Sequence, residues 1–129
     1  MAVSEKERYE VVARQIAYHN DQIIDSFKRF AKLTVLIVAG WAWVLVHHLD
    51  ADLKARLTFA ARLAFSLVGI VSVITIIANV VAWRDYRIVE SRLVGSSLAE
   101  PQFPKSYVTE IVMLLVIVVA CIGAYCVLR

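Results

Sequence analysis

The chain has 129 residues, 60% of them hydrophobic, with four Gly, two Pro and a formal charge of +3, and its mean hydropathy is +0.70. That composition predicts an all-α membrane protein in one domain covering residues 1–129. A charge this small, spread through the flanking segments, argues against nucleic-acid binding. The only cysteines, Cys121 and Cys126, lie on one predicted helix and point away from each other, which excludes a disulfide framework.

The chain starts with the charged stretch MAVSEKERYE, which does not fit a secretory signal with its short basic region ahead of an apolar core. Ser4 followed by Glu7 is a capping-box pattern, and no Gly or Pro interrupts the chain before Gly40. Tyr9, Val12, Ile16, Ile23, Phe27 and Phe30 recur in steps near three and four, with His19 on the same side, so residues 4–32 read as an amphipathic cytoplasmic helix. It runs without a stop into the first span, 33–49. The two together predict one rod on the order of 65 Å.

The stretch from Ser4 to Asp25 carries more acids than bases, unlike a helix lying on an anionic membrane, so its apolar stripe is expected to meet protein. The run His47-His48-Leu49-Asp50-Ala51-Asp52 is the expected turn, with Asp50 or Asp52 as cap. The second helix is expected to run from Asp52 to Val94, ending at Gly95, with residues 63–83 as its span. Residues 84–94 would then cover the membrane-proximal third of the cytoplasmic helix, leaving Tyr9, Val12 and Ile16 for another chain. The prolines and serines of 95–105 mark a loop, Ser106 can cap the third helix, and 107–128 is the third span.

Three spans put the basic residues on unequal sides. Lys6, Arg8, Arg14, Lys28, Arg29, Lys32, Arg84, Arg87, Arg92 and Lys105 share one side, against Lys54, Arg56, Arg62 and Arg129 on the other. The expectation is a cytoplasmic N-terminus and an external C-terminus.

Ser66, Gly69, Ser72, Thr75 and Asn79 make a polar and small-residue stripe along the second span. Such a stripe suits close helix packing, with Asn79 seeking an interhelical hydrogen bond, or alternatively the wall of a narrow pore. Ala120, Gly123 and Ala124 form a smaller packing patch on the third span. Of the histidines, His19 and the pair His47-His48 are about 40 Å apart along the rod, too far to share a haem in one chain. A polar position in a helix seam, fixing register with Asn20, is the ordinary role for His19. No nucleophile-base-acid set, phosphate loop or metal motif is present, so neither an enzyme nor a cofactor is expected.

The sequence therefore predicts a small non-catalytic membrane protein, embedded in the bilayer, that scaffolds a homo-oligomer or serves as accessory subunit of a membrane complex. Its interface would be Tyr9, Val12, Ile16, His19, Ile23 and Phe27. The alternative is a homo-oligomeric pore or membrane-permeabilising effector lined by the second-span stripe.

Overall fold

A computed structural model describes residues 4–95 and 105–127. The described residues form three α-helices: α1, Glu5–Val46; α2, Ala51–Val94; and α3, Val108–Val127, entered through a 3-10 turn at Lys105–Tyr107. All three are long and apolar enough to cross a membrane. Most of the loop expected at 95–105, and the end of the third span, lie outside the described residues.

The helix ends obey local chemistry. Ser4 is extended and its hydroxyl accepts from Glu7 N–H, while the Glu7 carboxylate accepts from Ser4 N–H at 2.9 Å, so the expected capping box is formed. At the other end of α1, His47 leaves helical geometry at ψ 141 and its N–H still donates to Trp43 O. Asp50 is the N-cap residue of α2, yet its side chain makes no cap hydrogen bond. The neighbouring acid, Asp52, instead pairs with Arg56 at 3.0 Å. Gly95 ends α2 at φ 78, a left-handed conformation that a Cβ would strain.

Helices α1 and α2 form a long antiparallel hairpin. Val12 near one end of α1 and Val44 near the other are both buried, so the pairing runs the length of the helix. The core holds Ile23 and Phe30 from α1, Phe65 and Ile76 from α2, and Ile117 from α3. Phe30 and Phe65 meet edge-to-face at 6.1 Å. Helix α3 lies against α2 and barely touches α1.

The register of this hairpin corrects one expectation. The chain turns within His47–Asp50, so the first residues of α2 must pair with the last residues of α1. As a result 51–62 takes up the apolar end of α1, and 84–94 reaches back to the distal, N-terminal end. Tyr86 stacks on His19 at 5.6 Å, and Val12 is only 8% exposed. The extension therefore pairs with the distal part of α1, while the proximal third expected to meet it lies against the uncharged run of α2. Ser26 and Ser72 line one groove, so the uncharged run of α1, centred near Gly40, sits about 14 residues, or roughly 20 Å, from the level of Val73 at the middle of the α2 run.

Candidate functional site: the α1 face beside the uncharged runs of α2 and α3

The polar contacts between α1 and α2 are concentrated around His19 and Asn79. Asn79 Nδ2 donates to Thr75 O at 2.9 Å, which leaves its Oδ1 as an acceptor. His19 Nδ1 lies 2.8 Å from that oxygen and so carries the donated hydrogen. The imidazole is held from its other sides by Tyr86, stacked at 21°, and by the edge of Tyr18. His19 thus takes its partner from across the hairpin, while Asn20 is exposed and plays no part in the seam.

The remaining members of the second-span stripe are occupied within the chain. Gly69 is buried, and a Cβ on it would come within 2.5 Å of Cys121 Sγ, so α3 approaches α2 closely here because no side chain intervenes. Ser72 is buried against α1. The hydroxyls of Thr75 and Ser66 donate to the carbonyls of Val71 and Arg62, one turn back in their own helix. Ser66 itself is exposed.

The expected interface residues divide. Val12 and Ile23 are buried in the chain, and Ile16, His19 and Phe27 are half-buried. Tyr9 alone among them is exposed, at 40%. What α1 turns outward is a different stripe, which the periodicity of the apolar residues does not reveal. Tyr18, Asp21, Asp25, Lys28, Lys32 and Val35 succeed each other in steps of three and four and are all exposed. None of the four charged members makes an ion pair among the described residues, where Asp52 pairs with Arg56 and Glu90 with Arg87. Arg29 lies to one side, in a groove with Leu33, Leu67 and Val71, its Nε donating to Asp25 O at 3.4 Å.

The level of this stripe is set by its neighbours. His19 to Phe30 of α1 lies opposite Phe65 to Asn79 of α2, inside the uncharged run of that helix. Helix α3 is in phase with the same run. Trp83 meets Tyr107 edge-to-face at 5.7 Å at one end, and Arg62 lies 5.5 Å from the Tyr125 ring at the other. The flanks of α2 and α3 expose the apolar side chains of Leu67, Ile70, Ile74, Leu115, Val119 and Ile122. Two acids and three bases on α1, Arg29 among them, are therefore held beside two uncharged runs.

A third feature is an open groove of about 350 Å³ between α1 and α3, lined by Ile37, Val38, Phe65 and Ala120 together with Thr34 and Trp41. Thr34 Oγ1 and Trp41 Nε1 are both covered and have no hydrogen-bond partner among the described residues. Among the described residues no group of three or more His, Cys, Asp or Glu converges as metal ligands would. His47, at the turn, donates from Nδ1 to Trp43 O and stacks on the Trp43 ring.

Compared with known proteins, the chain matches no protein-family model, no curated protein and no solved structure.

Proposed function

We propose that this chain is a non-catalytic integral membrane protein that acts by assembly, as an oligomerising scaffold or accessory subunit, and that α1 is the helix that binds the other chain. One observation carries this reading: the outward stripe of Asp21, Asp25, Lys28 and Lys32 lies beside the uncharged runs of α2 and α3, without ion partners among the described residues. An ionised side chain facing hydrocarbon costs about 2.5–3.5 kcal/mol even by insertion scales. Covering the stripe with protein removes that cost. The interface first expected, around Val12, Ile16 and Ile23, is replaced in this reading by the neighbouring stripe, because those side chains are used to join α1 to α2. The packing of Gly69, Ser72 and Asn79 within the chain weighs against the pore reading.

Native mass spectrometry of the full chain, extracted gently from its own membrane, tests the reading. The expected result is a defined multiple of 14.5 kDa, or reproducible complexes with other chains. Exchanging Lys28 and Lys32 for Ala should reduce that assembly at least tenfold without changing the amount inserted. A wild-type chain that is inserted and stays monomeric would refute it.

A further inference from the structure

We infer that the partner on the α1 stripe is a second copy of this chain, docked with its α1 antiparallel to the first. The inference rests on the assembly reading above and names its occupant from the order of charges. Along the stripe the sequence is Tyr18, Asp21, Asp25, Lys28, Lys32, Val35: two acids, then two bases, flanked at each end by an exposed apolar side chain. This order is self-complementary under a twofold axis passing between Ser26 and Phe27. Asp25 then faces Lys28 of the second copy, Asp21 faces Lys32, and Tyr18, 55% exposed, faces Val35, 67% exposed.

The spacing suits the geometry as well as the charge. Steps of three and four place these residues alternately at the two seam positions of a heptad, and in an antiparallel helix pair each kind of seam position meets the other kind. In a parallel pair the same residues would meet their own copies, setting Asp21 against Asp21 and Lys32 against Lys32. Like charges at that distance in a medium of low dielectric repel strongly. A twofold seam, in contrast, holds four ion pairs of opposite sign, with Arg29 of each copy to one side of it. Each charge is already at span level because the short turn fixes the hairpin register, so the comparison that decides is a partner charge against lipid, and the partner wins.

An antiparallel pair of spanning helices requires the two copies to cross the bilayer in opposite senses. The basic residues permit it. With Lys28, Arg29 and Lys32 at span level they no longer count as flanking charges, and the excess on the N-terminal side narrows toward the Lys54, Arg56 and Arg62 of the other side.

Cysteine cross-linking in native membranes tests the inference on the full chain, with Cys121 and Cys126 first changed to Ala. Two differently tagged chains are co-expressed, one carrying Asp21→Cys and the other Lys32→Cys, and oxidised. The expected product joins the two tags. Positions 21 and 32 are about 16 Å apart along a helix, so an antiparallel seam brings 21 to 32 while keeping each position out of disulfide reach of its own copy. Charge exchange gives an independent readout: Asp21→Lys should lower the dimer fraction at least tenfold, and Asp21→Lys with Lys32→Asp should restore it. A C-terminal reporter should be found on both sides of the membrane.

Cross-links joining 21 to 21 or 32 to 32 would overturn the antiparallel seam while leaving the assembly reading intact. So would complexes that contain only other proteins. A monomeric chain would overturn both.

Discussion

The two helix pairs of this molecule make opposite use of the same α2 helix. Between α2 and α3 the uncharged runs lie side by side, and the aromatic contacts of Trp83 with Tyr107 and the approach of Arg62 to Tyr125 mark the two ends of one common level. Between α1 and α2 the uncharged runs are displaced by roughly 20 Å, and a segment with five exposed charges lies beside the α2 run. The first arrangement leaves an apolar flank outward and the second a charged one, and the difference shows that three helices of spanning length are not by themselves three equivalent helices. Helix length and apolar content describe each helix alone; the level at which it sits is decided by the connection to its neighbour.

The polar contact that marks the displaced register is also its weak point, and removing it should have the largest effect on the isolated chain. Asn79→Leu takes away the acceptor of His19 Nδ1–H and leaves that donor half-buried beside an apolar helix. The expected loss is about 1–2 kcal/mol, the range for an orphaned donor reduced by the modest worth of hydrogen bonds in membranes. Changing His19 to Leu as well removes the donor together with the acceptor, and most of the loss should return. Thermal unfolding of the four variants in one detergent gives the cycle. A double variant that loses the sum of the two single changes would mean that these side chains do not meet, and the register would have to be abandoned.

How far this arrangement is legible from sequence depends on the range of the interaction concerned. The Ser4 and Glu7 cap and the Gly95 stop act within a few residues, and the start of α1 and the end of α2 can be read from them directly. The continuity of α1 from the acidic N-terminal stretch into the apolar run is legible for the same reason, since no Gly or Pro interrupts it before Gly40. The stagger is not local. Matching each apolar run separately to the thickness of a bilayer hides the constraint from the turn at His47–Asp50, which pairs residues equally distant from it. His19 lies about as far before that turn as Asn79 lies after it, so counting outward from the turn brings the two together. The same count opposes Ser26 to Ser72 and assigns Val12 and Ile23 to the hairpin. The outward stripe of Asp21, Asp25, Lys28 and Lys32 is invisible to apolar periodicity, because charges opposite an apolar face look like a solvated surface until the level of the helix is known.

The in-phase pair, α2 with α3, can be loosened more gently. Gly69→Ala introduces a Cβ that would lie 2.5 Å from Cys121 Sγ, well inside contact distance. The sulfur can turn away at some cost in packing, so about 1 kcal/mol is expected. Cys121→Ala in the same chain empties that space, and the double variant should be more stable than Gly69→Ala alone. Because the contact belongs to α2 and α3, neither change should alter cross-linking through α1. A Gly69→Ala variant as stable as the parent would show that α3 does not approach as closely as this geometry requires.

The smallest expected effect concerns the gap between the two arrangements, where α1 and α3 part. Thr34 Oγ1 is covered there with no hydrogen-bond partner among the described residues, beside the groove shared by Ile37, Phe65 and Ala120. An orphaned hydroxyl lowers stability, whereas valine has nearly the same shape and nothing to satisfy. Thr34→Val should therefore raise the unfolding temperature slightly, by an amount equivalent to about 0.5–1 kcal/mol. Trp41 Nε1 is equally unpartnered, but no substitution removes that donor while keeping the indole shape, so Thr34 is the cleaner probe. If Thr34→Val instead lowers stability, the hydroxyl has a partner in the assembled protein. In a groove that α3 leaves open to α1, that partner would come from another chain, and the region where the two arrangements part would then be a second place where copies meet.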